Sequence, residues 1–162
     1  MKITRLLLFS FAILTVAVLP LACSDDGATP PPAGADGGNT APYGTSYEPR
    51  SDSGVDVIYF EESNACDCMA EVGVVIKETV ASHFASELKD GTLRFFVLTS
   101  DDWANREAFE MFKNQSFDLF IVAFEDGRGI ASPVTEFWTM IGDDEAIELY
   151  VAAQIAESLS EY

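Results

Sequence analysis

The chain has 162 residues, with 27 acidic side chains against 9 basic ones and a formal net charge of −18. A field of that sign repels phosphate backbones and anionic headgroups, which argues against nucleic-acid binding and against attachment to a membrane through surface charge. The length suits one small domain with extra segments at its N-terminal side.

Lys2 and Arg5 precede residues 6–19, LLLFSFAILTVAVL. That stretch is too short to span a bilayer comfortably, but it suits the hydrophobic core of an export signal covering residues 1–22. Ala22, Cys23 and Ser24 follow. This run resembles the lipobox of bacterial lipoproteins, with Pro20 where that motif usually carries an aliphatic residue. The resemblance implies lipidation of Cys23, which becomes the new N-terminus. Ser24 in place of Asp implies sorting to the outer membrane, facing the periplasm, where the cell has one. The alternative is a soluble exported protein with an unmodified cysteine. The expected location is the cell envelope, with the membrane held by lipid. Loss of Lys2 and Arg5 lowers the basic residues from 9 to 7 and takes the net charge from −18 to −20.

Residues 24–54 are built from Pro, Gly, Ala, Ser, Thr and Asp, with Tyr43 and Tyr47 but no aliphatic residue larger than Ala. Such a composition buries too little apolar surface to offset chain entropy, so residues 23–54 are expected to form a lipid-anchored, disordered linker. As a flexible coil it would hold the domain on the order of 30 Å from the membrane.

The folded domain is expected over residues 55–162. VDVIYF (55–60) reads as a buried strand. From Asp67, the apolar residues Val72, Val75, Ile76, Val80, Phe84 and Leu88 recur at helical spacing, and Gly91 closes that helix. TLRFFVLT (92–99) is a second strand, DDWANREAFEMFK (101–113) a capped short helix, and FDLFIVAF (117–124) a third strand. EDGRG signals a hairpin into a brief fourth strand near Ile130. Two helical pieces follow, VTEFWTMIG and then DDEAIELYVAAQIAESL, the latter with an apolar face of Ile147, Tyr150, Val151, Ile155 and Leu159. The order β-α-β-α-β-β-α predicts an α/β domain with a central four-stranded mixed sheet. Strands separated by helices are expected to run parallel, and the hairpin adds an antiparallel edge. This is the element order of the thioredoxin fold, in which dithiol chemistry sits at the junction of the first strand and first helix.

Cys66 and Cys68 lie at that junction with Asp67 between them. With Cys23 lipidated they are the two remaining thiols, and in an exported protein they are expected to pair, permanently or in cycles. Side chains two residues apart on a helix point about 200° from each other, so a bridge requires Cys66 in the loop before the helix. Asp67 is then the expected N-cap, with Cys68 in the first turn. So small a ring departs from relaxed disulfide geometry and is easier to reduce, which favours a redox pair over a staple. The helix N-terminus stabilises a thiolate, while Glu61, Glu62, Asp67 and Glu71 oppose it, and the sequence leaves the net sign open.

Two other readings stay open. Cys66 and Cys68 could hold Cu(I) or another thiophilic metal, whereas zinc wants four ligands. His83 lies roughly 22 Å along the helix from Cys68 at 1.5 Å per residue, and is expected to be a surface or boundary residue. The pair could also be an inert disulfide in a binding module. No G-x-G-x-x-G, no G-x-S-x-G and no spaced carboxylate pair or calcium loop occurs, so no cofactor is implied. Trp103 and Trp138 are expected in the core.

The strand ending at Phe60 and the cysteines after it belong to a longer pattern. It continues through HFASELKDGTLRFF, DDWANREAF with Asn105, FDLFIV followed by EDG, and EFWTMIGDDEAIELYV. This order resembles the thioredoxin-like family of nitrophenyl compound nitroreductase subunit ArsF, in its bacterial lipoprotein form, over nearly all of the folded domain. That family carries Cys-x-x-Cys, whereas Asp67 alone separates the cysteines here. True thioredoxins also place a cis-proline before the third strand; KNQSFDLF has none, and Pro133 is expected after the fourth strand. The resemblance implies thiol–disulfide oxidoreductase-like work by Cys66 and Cys68. It also implies an accessory role beside a reductase or another thiol or disulfide protein partner.

Overall fold

The apolar run that opens the folded part becomes β1, Gly54–Glu61, in the computed structural model, which describes residues 43–113 and 117–161. Val55, Val57, Ile58, Tyr59 and Phe60 are all fully buried, as a strand covered on both faces requires. β2, Leu93–Thr99, pairs parallel to β1 from Val55↔Leu93 to Glu61↔Thr99. β3, Leu119–Glu125, lies on the other side of β1, and β4, Arg128–Val134, pairs antiparallel to β3 at the edge, giving the order β2-β1-β3-β4. The β3–β4 turn is the expected Asp126-Gly127, with φ of 50° and 75°, the two left-handed residues that a tight hairpin needs. The domain is therefore α/β with a four-stranded mixed sheet in the expected element order.

One strand direction differs from expectation: β3 runs antiparallel to β1, not parallel. The connection explains it. The helix between β2 and β3, Arg106–Phe112, spans about 10 Å at 1.5 Å per residue, while a seven-residue strand runs about 23 Å. So short a helix does not carry the chain back to the far end of the sheet. β3 therefore starts at the end where β2 stopped.

Strict alternation sorts the two sheet faces. Val55, Val57, Tyr59, Leu93, Phe95, Val97, Leu119 and Ile121 face α1, Asp67–His83, and the C-terminal helix, whose buried residues are Ile147, Val151 and Ile155. Ile58, Phe60, Phe96, Leu98, Phe120, Val122 and Phe124 face Ala108, Phe109 and Phe112. The expected long first helix is two: Phe84 leaves helical geometry (φ −121°, ψ 28°) with its ring still in the core, and α2, Ala85–Asp90, follows before Gly91 in the left-handed region. We number Arg106–Phe112 as α3 and Asp144–Leu159 as α4; Asp143 caps α4 by accepting from Ala146 N–H at 3.1 Å. Residues 134–142, expected to be helical, form only a 3₁₀ turn, Glu136–Met140, that buries Phe137, and Val134 is the last residue of β4. Pro133 falls inside β4, opposite Phe120, rather than after the strand; β4 is an edge, where a residue without an N–H is tolerated.

The linker boundary also moves. Export signal, Cys23 and linker residues up to 42 lie outside the described residues, but residues 43–54 pack on the domain. Gly44 N–H donates to Phe95 O, and Gly44 O accepts from Val97 N–H, both at 2.9 Å, covering the edge of β2. Tyr43 meets Phe95 edge-on at 5.6 Å and Tyr47 meets Phe96 at 5.0 Å, so the two rings grip β2 from opposite faces. Arg50 is buried and donates to Thr92 O (3.1 Å) and Gly91 O (2.9 Å). Two tyrosines, one arginine and a protected strand edge replace the aliphatic side chains this segment lacks.

Candidate functional site

β1 delivers the chain to the cysteines. Beyond Glu61 a short loop leads to Cys66, which has extended geometry (φ −69°, ψ 160°) and takes the N-cap position itself. Asp67 is the first helical residue, not the expected cap. The backbone is what caps: Cys66 O accepts from Met69 N–H at 3.0 Å and from Ala70 N–H at 2.9 Å, while no side chain does so. Cys68 falls in the first turn, as expected. Because Cys66 stands outside the helix, its side chain escapes the helical 200° separation and the two sulfurs come within 3.1 Å. Both are exposed free thiols.

That contact splits their acidity. A hydrogen bond from Cys68, and then the Met69 N–H, hold the Cys66 thiol below its ordinary range. The same contact, with some burial and the charge on Cys66, pushes the Cys68 thiol up. The shift at Cys66 is therefore downward and that at Cys68 upward. One of the four opposing carboxylates is engaged elsewhere, since Lys77 Nζ on α1 donates to Glu61 Oε2 at 3.0 Å.

The ends of the other strands gather at the same edge of the sheet. Ser100 N–H donates to Glu61 O at 2.7 Å. Ser63, in the cysteine loop, donates to Asp101 Oδ1 through its hydroxyl (3.0 Å) and its N–H (3.2 Å), which lowers the Asp101 pKa. This clasp between the loops after β1 and β2 is not apparent in the sequence; its only signal is a Ser and an Asp, each just beyond a strand. Asp102 caps the turn Trp103–Asn105 by accepting from Ala104 N–H at 2.9 Å. Asn105 is buried, with its amide donating to Thr99 O at 3.1 Å. Trp103, expected in the core, is 77 % exposed, its ring covered by the Arg106 guanidinium at 4.9 Å instead of by apolar side chains. Trp138 does pack against the core. Just before β3, where a thioredoxin has its cis-proline, Phe117 takes a left-handed φ of 68° and Asp118 O accepts from Phe60 N–H at 2.9 Å. No peptide bond is cis among the described residues.

Tyr59 supports this end from below. Its hydroxyl is buried beneath Gly73 of α1, where an added Cβ would stand 3.2 Å from the oxygen. Burial first, then Glu61, raises its pKa. As a metal site, the pair offers two sulfurs; among the described residues no group of three or more His, Cys, Asp or Glu could hold an ion. His83 is a surface residue bonded through Nε2 to Glu148 Oε1 of α4 at 2.7 Å.

No family model matches the sequence, and no curated protein matches it. Among solved structures, the chain is similar to the thioredoxin of Malassezia sympodialis, Mala s 13, with 15% identity and a TM-score of 0.39, over 63% of this chain and 79% of that one. It is also similar to the thioredoxin of Fasciola hepatica, with 14% identity and a TM-score of 0.35, over 62% of this chain and 84% of that one.

Proposed function

We propose that the chain is an exported lipoprotein of the cell envelope, held by lipid on Cys23, whose Cys66–Cys68 pair carries thiol–disulfide exchange or electron relay. The accessory role beside a reductase that the ArsF resemblance implies is part of this proposal. One observation carries the exchange reading: two exposed sulfurs 3.1 Å apart at the start of α1, with their acidities pushed in opposite directions. A structural staple needs no such asymmetry, whereas exchange needs one thiolate to attack and a second thiol to follow.

The steps follow from that asymmetry. Cys66 thiolate attacks one sulfur of a partner disulfide; that S–S bond breaks, and the partner's leaving sulfur departs as a thiolate and takes up a proton. Cys68 then gives up its proton and attacks Cys66 sulfur, forming the Cys66–Cys68 bond and releasing the partner's second thiol. The partner gains two electrons and the pair loses two. Turnover requires an external dithiol to reduce the Cys66–Cys68 bond again. The Asp101–Ser63 clasp and the Glu61–Lys77 ion pair fix the two ends of the loop and helix that present Cys66.

The test is to trap the first step. Cys68→Ser, mixed with a model disulfide, is expected to stop as a stable mixed disulfide on Cys66, seen by mass spectrometry, and Cys66→Ser is expected to react far more slowly. A wild-type pair that stays unreactive toward mild disulfides and dithiols until the domain is denatured would end the exchange reading. Copper is the second reading, supported by the same separation of two soft ligands. It predicts one Cu(I) per chain in a competition titration, lost in either cysteine variant. For the anchor, Cys23→Ser is expected to move the protein from the membrane to the soluble envelope fraction; retention with membranes would assign the anchor to another segment.

A further inference from the structure

Resting on the exchange reading, we propose that the Cys66–Cys68 pair selects cationic disulfides, those whose sulfurs are flanked by basic groups. The reacting atom is the Cys66 sulfur; the carboxylates around it form no site of their own but set the potential in which it reacts. No Lys or Arg occurs between Arg50 and Lys77, a stretch that contains the whole cysteine loop. Glu62 lies in that loop, Asp67 stands between the cysteines, and Glu71 follows one turn along α1, all three exposed. Asp101 is drawn to the same loop by Ser63. The basic residues nearest in the chain to this end are engaged, Lys77 with Glu61 and Arg106 with Glu110, while Arg50, Lys89, Arg94 and Arg128 belong to the opposite end of the sheet and Lys113 follows α3. An anionic disulfide therefore brings charge against these carboxylates, and the exchange transition state spreads the one negative charge of the Cys66 thiolate over three sulfurs, two of them on the probe. A cationic disulfide is drawn in and compensates it. Such a preference is carried by long-range attraction and vanishes when salt shortens its reach from about 30 Å at 0.01 M to about 3 Å at 1 M.

The experiment uses the reduced full chain and two probes, cystamine, a dication, and 3,3′-dithiodipropionate, a dianion. Rates of Cys66–Cys68 oxidation are each divided by the rate of the same probe with the neutral thiol 2-mercaptoethanol, which removes differences in leaving-group reactivity. The normalised preference for cystamine is expected to be about tenfold at low salt and to fall within about twofold at 1 M salt. The triple variant E62Q/D67N/E71Q, folded by circular dichroism, is expected to lose most of the preference at low salt while still reacting with both probes. Equal normalised rates at low salt, or a preference unmoved by salt and by the triple variant, overturn charge selection and leave exchange standing. If neither probe oxidises the pair, the exchange reading falls and this inference falls with it.

Discussion

The two ends of β1 place ionisable groups in opposite settings. Near its start, Asp56 is 0 % exposed and is held by Arg94 (2.8 and 2.6 Å) from β2 and by Arg50 (3.8 Å) from the segment that covers the β2 edge. Beyond its end, Cys66 and Cys68 stand in water at a helix terminus that no side chain caps. A buried carboxylate persists only where cations and hydrogen bonds replace its water, so the Asp56 end is a lock. The cysteine end leaves its groups accessible and splits their acidity, which is the condition for chemistry. The difference predicts that variants at one end change stability and variants at the other change reactivity.

The largest effect belongs to the reactive end. Cys66→Ser should lower exchange with a small disulfide by at least about a hundredfold, because the thiolate is the nucleophile. The same variant should shift unfolding free energy by no more than about 0.5 kcal/mol, as expected for an exposed side chain. A variant that unfolds would break the comparison at once. At the locked end, Asp56→Asn leaves the Arg94 guanidinium without its carboxylate, while Arg50 keeps Asp52 at 3.0 Å, and should cost about 3–5 kcal/mol in urea unfolding. Its exchange rate, measured on the folded fraction, should stay within about twofold of the wild type, since independent sites add. A large loss of rate would mean that the two ends are coupled through β1.

A smaller effect sharpens the role of residues 43–54. Tyr47→Ala removes ring contacts to Phe96 and Phe112 (5.0 and 5.7 Å) and should cost about 1–3 kcal/mol in the same unfolding assay. No loss of stability would return this segment to the linker.

Sequence patterns reveal these regions unevenly. The position of the cysteine pair is legible because a short, nearly continuous apolar run gives way to a period-3.6 one between Phe60 and Val72, and that handover is local. The direction of β3 is not, since it depends on whether α3 is long enough to cross the sheet. Nor is the packing of residues 43–50, because average composition dilutes two tyrosines that dock individually. The lock did leave a trace: Asp56 interrupts an apolar strand, and Arg94 interrupts the next one at the position that pairs with it. An acid in one buried strand and a base in its neighbour are a readable demand for each other. The acidity of Cys66 had no such trace, because it depends first on a sulfur contact created by the backbone turn at the N-cap and then on the Met69 N–H.

The smallest effect tests that contact directly. The hydrogen bond from Cys68 is the main cause of the lowered Cys66 pKa, so Cys66 alkylation by iodoacetamide should reach half its limiting rate below the ordinary thiol range of about 8.5. Cys68→Ala should move that midpoint upward, since the donor is gone. Stability should respond weakly and with two signs. Cys66, lowered in the folded state, contributes stability above its unfolded pKa that is lost as pH falls through the folded value. Cys68, raised by the same contact, contributes stability below its unfolded pKa that is lost as pH rises through its folded value. The coupled pair therefore gives a shallow stability maximum near the ordinary thiol pKa, falling away on both sides. Cys68→Ala should flatten that maximum in urea unfolding across the alkaline range. An alkylation midpoint that stays where it is in Cys68→Ala would show that the helix N–H groups, and not the second thiol, set the acidity of Cys66.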